Sequence, residues 1–316
     1  MFRELDAFRC CRPRSGVLLL RDLPVGTLPA TPARPDVATG ASPRTEALVL
    51  DVARRLGDPV GYLPEQGGVL VQNLLPTPDG ADHQVSTSST VTLAFHTETA
   101  FHPHLPRYLV LLCLRGDPAA VTTWCTVDDA LAGLTPAEVE VLRQPRFRCG
   151  VDESFTDGRP AGLGPARPIV WGDPAAPSWT FDEDLMVGTD LVAQAALEHL
   201  AASVLDHQRG VVLAGGDLLV LDNELVVHGR SPFRARYDGT DRWLQRAFVI
   251  EDLAPSAPDR VGRIIDTDFA GGREGTREET WSLRPRFVAD RIVELLRWPE
   301  HWVADELTLH PLHQDF

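Results

Sequence analysis

Apolar residues along the chain gather in short runs separated by glycine, proline and acidic positions. Val17–Leu20, Val69–Leu74, Val91–Phe95, Tyr108–Leu114, Val121–Cys125, Val211–Leu213, Leu218–Leu221 and Trp243–Ile250 are rich in Val, Leu and aromatic residues and read as strands. Three segments carry helix signals. Pro43–Leu56 begins after a serine and ends at Gly57. Pro136–Arg143 follows Thr135, with Glu138 placed to complete a capping box. Leu191–His207 follows Thr189 and Asp190 and stops before Gly210. A fourth helical pattern, Phe287–Leu296, lies near the C-terminus. Many short strands with few helices predict a mainly β barrel or sandwich with helices packed outside it. Strands and helices do not alternate, and no GxGxxG opens a helix, which disfavours a nucleotide-binding doubly wound sheet. Two polar stretches, Pro76–Thr90 and Asp157–Pro177, are long for loops of a compact domain and read as functional lids or disordered segments. No shift in composition demands a boundary, so a single domain over residues 1–316 is expected.

Composition narrows the class. The chain has 316 residues, 43% hydrophobic and 24% charged, which is ordinary for a globular protein with a sizeable core. Its formal charge of −15 argues against a broad basic surface for nucleic acid or an anionic membrane. All 30 basic residues are arginine, so Schiff-base and P-loop lysine chemistry is excluded, and every cation is a planar fork suited to carboxylates. The five cysteines are odd in number and form no CxxC pair, which disfavours a disulfide framework or thiolate zinc site and predicts a reducing, cytoplasmic setting. The apolar run Gly16–Leu20 is too short for a signal peptide, and no stretch is long enough to span a membrane.

Chemistry concentrates in two places. His96-Thr97-Glu98 closes an apolar strand pattern, and residues two apart on a strand share a face. His228, in VVHGR, is the best third ligand. Two histidines and one carboxylate form the facial triad that leaves open positions on Fe(II). Arg242 and Arg246, four apart in a strand-like run, also share a face, with Leu244 and Phe248. Two arginines turned into a barrel need anionic partners, either internal carboxylates or bound ones.

The segments Gly216–Asn223, Val227–Phe233 and Arg236–Leu244 resemble the Fe(II)/2-oxoglutarate oxygenases of the clavaminate synthase group, among them amino-acid β-hydroxylases of peptide-antibiotic biosynthesis. Glu65–Gly68, Leu70–Asn73 and His96–Pro103 resemble the same group, in the same order. The resemblance implies a double-stranded β-helix, or jelly-roll, core. It implies Fe(II) on His96, Glu98 and His228, with 2-oxoglutarate and O2 as cosubstrates. Arg242 matches the arginine for the far carboxylate of 2-oxoglutarate, assisted by Thr122 or Thr123, of which Thr123 is favoured. Arg246 matches the holder of a substrate α-carboxylate. Ser86 and Gln66 resemble residues touching the α-amino and carboxylate groups, although a one-residue offset would put Glu65 in place of Gln66. Asp152, Asp182 and Asp184 resemble an acidic side-chain pocket; the alternative for Asp182 and Asp184 is a solvated turn.

The activity implied is hydroxylation at Cβ or Cγ of a free L-amino acid, arginine or a related polar or cationic one, with release of succinate and CO2. Competing readings are the same chemistry on a carrier-protein-bound amino acid, desaturation or cyclisation of an amino-acid-derived metabolite, and a metal-binding barrel without turnover. A free α-carboxylate for Arg246 weighs against the carrier-bound form.

Overall fold

The computed structural model describes residues 2–35, 43–156, 161–267 and Phe269. In chain order the elements are α1 (Phe2–Cys11), β1 (Val17–Leu20), α2 (Pro43–Leu56), β2 (Asp58–Tyr62), β3 (Gln72–Leu74), β4 (Leu93–His96), β5 (Tyr108–Arg115) and β6 (Val121–Thr126). Then follow α3 (Val127–Ala132), α4 (Pro136–Leu142), β7 (Phe147–Cys149), β8 (Val170–Asp173), β9 (Ala176–Trp179), β10 (Met186–Gly188) and α5 (Leu191–His207). The last are β11 (Arg209–Val212), β12 (Leu218–Asp222), β13 (Val226–Arg230), β14 (Trp243–Ile250), β15 (Arg260–Val261) and β16 (Ile264–Ile265). Residues Met1–Thr267 make one compact unit.

Two sheets carry the architecture. The larger runs β1-β12-β5-β14-β2-β16-β15, with β3 also on β14, and the smaller runs β11-β6-β13-β4. All pairings in them are antiparallel except β16 with β2.

Alternation along β5 and β14 explains how the large sheet is covered. Tyr108, Val110, Leu112 and Leu114 of β5, with Trp243, Ala247 and Val249 of β14, join a core cluster with α1 and α2. The intervening Leu109, Leu111, Leu244 and Arg246 line a cavity on the opposite face. Both faces of β5 are therefore covered, which is why its sequence is an almost unbroken apolar run. On α2, Thr45, Val49, Val52, Ala53 and Leu56 are buried at helical spacing. Helices α4 and α5 are capped as their sequences demand. Thr135 and Glu138 form the expected capping box on α4, and Asp190 accepts from the amides of Val192 and Ala193 at 3.0 Å on α5.

Several expectations shift. The run at Val69 becomes strand only from Gln72, because Gly67 and Gly68 hold positive φ (72° and 79°) and keep the preceding chain in a turn. The stretch 157–177 is not all loop, since β8 and β9 form an antiparallel hairpin across Asp173 and Ala176. Helices α1 and α3 and strand β13 carry no signal strong enough to have been expected from pattern alone. Trp171 is 37% exposed, whereas Trp179 is fully buried against Phe181. The pattern Phe287–Leu296 lies outside the described residues. Among the described residues no helix is long and apolar enough to cross a membrane.

Candidate active site

The cavity between the two sheets has a volume of about 310 Å³. His96 ends β4 and His228 sits on β13 directly opposite it, with ring centroids 4.4 Å apart. The register slips between His228 and Arg230: three residues of β13 span four of β4, from Leu93 to His96. This bulge turns the Ala94 carbonyl toward His96, whose Nδ1 lies 2.8 Å from it. A carbonyl can only accept, so Nδ1 carries the proton and Nε2 keeps its lone pair for the cavity.

Glu98 lies just past the strand. Its backbone amide donates to Asn223 Oδ1 at 2.8 Å, and Asn223 Nδ2 donates back to Glu98 O at 3.2 Å and to Pro106 O at 2.9 Å. The chain then turns sharply at Thr99, which holds φ 52°, an uncommon conformation for a β-branched residue. These constraints aim the carboxylate inward. Oε2 lies 3.5 Å from His228 Nε2 and 3.9 Å from His96 Nε2, and the three ligand atoms lie within 4.8 Å of one another.

This donor set fits a divalent metal. Glu98 Oε2 is buried without a hydrogen-bond partner, an arrangement that costs free energy unless a cation occupies the point it faces. Burial, reinforced by His96 and Arg246, holds the His228 pKa well below the usual range, so its ring is neutral as a ligand must be. The other carboxylate oxygen, Oε1, accepts from Arg246 Nη1 at 3.2 Å.

Arg242 and Arg246 both reach this cavity, yet their environments differ. Arg246 is paired: Nη2 donates to Glu65 Oε2 at 2.8 Å, and Nε and Nη2 donate to Gln72 Oε1 at 2.9 and 2.6 Å. Arg242 has no carboxylate within ion-pair distance among the described residues. Its hydrogen bond there runs from Nη2 to Thr122 Oγ1 at 3.3 Å, and burial lowers its pKa. Thr122, not the favoured Thr123, therefore meets Arg242. Alternation on β6 is the reason. Thr122 stands opposite Arg230 on the cavity face, and Thr123 stands opposite Gly229 on the other.

The remaining expected residues divide. Ser86, Gln66, Asp152, Asp182 and Asp184 all line the cavity. Gln66, however, uses both ends of its amide on the Asn73 backbone, at 3.0 and 3.2 Å, while neighbouring Glu65 faces Arg246. Burial raises the Glu65 pKa and Arg246 opposes that shift. Asp182 is buried and forms a bridge with His96. Its Oδ1 accepts from the amides of Asp184 and Leu185 at 3.0 and 2.8 Å, and burial raises its pKa against the opposing pull of His96. Asp182 is thus a fixed wall rather than a solvated turn. Asp152 Oδ1 accepts from the Ser154 amide at 2.8 Å and from its hydroxyl at 2.6 Å. Sequence reasoning missed Gln72 and the clamp role of Asn223. It also missed Arg230, although Arg230 stands two residues beyond His228 and so shares its face.

No family model matches the chain. It is 39% identical to an L-asparagine oxygenase of Streptomyces coelicolor over 80% of this chain and 77% of that protein. It is 35% identical to clavaminate synthase 2 of Streptomyces clavuligerus over 89% of this chain and 84% of that protein. Among solved structures it is similar to the non-haem iron oxygenase OrfP in complex with Fe, succinate and (3S)-hydroxy-L-Arg. That likeness has a TM-score of 0.77 and 31% identity, covering 84% of this chain and 85% of that one. The chain belongs to the Fe(II)/2-oxoglutarate-dependent oxygenases of the clavaminate synthase-like group.

Proposed function

We propose that this protein is a single jelly-roll oxygenase domain, with 76–90 and 157–177 as its lid segments, that hydroxylates Cβ or Cγ of a free L-amino acid. The favoured substrate is arginine or a related polar or cationic amino acid. The observation that carries the reading is the division of charge around the triad. Arg242 stands at one end of the cavity with no carboxylate within ion-pair distance among the described residues, while Glu65, Asp152, Asp182 and Asp184 line its walls.

His96, Glu98 and His228 would hold Fe(II), and Arg242 with Thr122 would hold the far carboxylate of 2-oxoglutarate. Bound together, iron and 2-oxoglutarate would activate O2, one oxygen atom going into the C–OH group and the other into succinate, with CO2 released. The chain supplies placement. Arg246 is prepaid in orientation by Gln72, so its fork is already aimed when a substrate α-carboxylate arrives. Glu65, now paired with Arg246, becomes available to a substrate ammonium as the α-carboxylate takes its place. Asp182 is fixed through Oδ1 and has no hydrogen bond on Oδ2 among the described residues, leaving that oxygen for a donor on the substrate side chain. A cationic side chain would also offset the burial that disfavours the ionised Asp182.

The test is anaerobic loading with Fe(II) and 2-oxoglutarate, then admission of oxygen across a panel of free amino acids, read by mass. A gain of one oxygen on a polar or cationic amino acid is expected. Succinate formation unstimulated by any free amino acid would sink the reading, and stimulation by a carrier-tethered one alone would move the substrate to that class.

A further inference from the structure

Two of the four buried arginines among the described residues are neutralised by carboxylates. Arg107 pairs with Asp222 and Glu224, and Arg246 with Glu65 and Glu98. Arg230 breaks that pattern. It is 4% exposed, yet its hydrogen bonds go only to neutral acceptors: Ser88 Oγ at 2.9 Å, Val91 O at 3.4 Å and Ser231 O at 3.2 Å. Its guanidinium lies over the Phe233 ring at 5.1 Å. No carboxylate lies within ion-pair distance of it among the described residues.

Its position is set by register. His228 and Arg230 alternate with Gly229 on β13, so both side chains take the cavity face, and Arg230 stands opposite Thr122, the hydroxyl that meets Arg242. Two buried guanidinium groups thus converge on the same end of the cavity, with no carboxylate within ion-pair distance of either among the described residues, and Asp117 acts on Arg242 only from longer range. Like charges brought together in a low-dielectric site are unfavourable unless a ligand supplies the opposite charge.

We propose that Arg230 is a second cationic residue of the subsite for the far carboxylate of the dicarboxylate cosubstrate. It would act beside Arg242, making the site selective for a doubly charged 2-oxo acid. This rests on the oxygenase reading above. The competing explanation is purely structural: Arg230 would do no more than anchor the segment Ser88–Val91.

The experiment compares two ligands on the Mn(II)-loaded full-length protein by calorimetry: 2-oxoglutarate, and 2-oxoglutaramate, whose far end is a neutral amide. Arg230→Gln removes the charge while keeping a donor for Ser88. It is expected to weaken 2-oxoglutarate binding about tenfold and 2-oxoglutaramate binding much less. Arg230→Lys is expected to restore most of the preference for the dianion. Ser88→Ala, which cuts the anchor alone, is expected to leave the preference intact. Equal weakening of both ligands by Arg230→Gln, or no change in either, overturns the proposal. So does loss of the preference in Ser88→Ala. If Arg230→Gln does not fold, Arg230→Met carries the same comparison. Wild-type protein that binds neither ligand overturns the oxygenase reading itself, an outcome distinct from binding that ignores Arg230.

Discussion

Gly229 lies between His228, a proposed metal ligand, and Arg230, at the seam where β13 meets the bulged β4. A Cβ built there would sit 2.6 Å from the Leu93 carbonyl oxygen and 3.3 Å from Thr123 Oγ1. Ordinary van der Waals contact begins near 3.4 Å, so Gly229→Ala requires the two backbones to part by roughly 0.8 Å. The obstacle is main chain and cannot rotate away. The strands that must part carry His96 and His228, and metal sites tolerate only about 0.2 Å of error in ligand distance. The expected result is a folded protein with Mn(II) affinity reduced by a factor of about 10 to 100, the range typical of disturbed support around a metal site. Far-UV circular dichroism checks the fold and calorimetric titration checks the metal. Wild-type Mn(II) affinity in a folded Gly229→Ala protein would refute the claim that this seam sets the spacing of the ligands.

Thr122→Val should weaken 2-oxoglutarate binding about tenfold, since one hydrogen bond to a charged group is lost, whereas Thr123→Val should leave the dissociation constant unchanged. Asp182→Asn should raise KM for a cationic amino acid by at least about thirtyfold, the effect of removing one partner of a buried charge pair, with a smaller effect on a neutral amino acid; steady-state kinetics on both decides. His102 is buried as the neutral ring, with its pKa pushed down by desolvation to about 3. The unfolded chain therefore binds the extra proton first, and the stability His102 contributes is full above about pH 6.5 and lost as pH falls toward 3. Urea unfolding of the metal-free protein at pH 7 and 5.5 should show a loss of about 1 kcal/mol from this residue, absent in His102→Asn; an identical loss in the variant would remove His102 as its source.

The triad was legible because its chemistry is local in pattern: His96 and Glu98 sit two apart at a strand end, and His228 comes just after another apolar run. The inward turn of Arg246 followed from period-two alternation on β14. What failed to show depended on register. Choosing between Thr122 and Thr123 requires knowing which residue faces Arg230, and a one-residue slip reverses every side chain. Gln66 attracted attention over Glu65 because nothing in the pattern reveals that residues 66, 67 and 68 all hold positive φ, which turns the Gln66 amide onto β3. Asn223 read only as a turn former. Its grip on Glu98 joins residues distant in the chain, and no local pattern encodes such a contact.

That grip has a kinetic consequence. Glu98 is aligned by an asparagine on the β12–β13 turn, and His96 meets His228 only once β4 has zipped onto β13. The ligand cluster therefore cannot exist in any half-built intermediate that lacks the C-terminal strands, and closing so long a chain segment is entropically slow. Metal is consequently a late arrival, unable to template early folding. Once the sheets have closed, it should stabilise the whole unit and slow unfolding while leaving the refolding rate almost untouched.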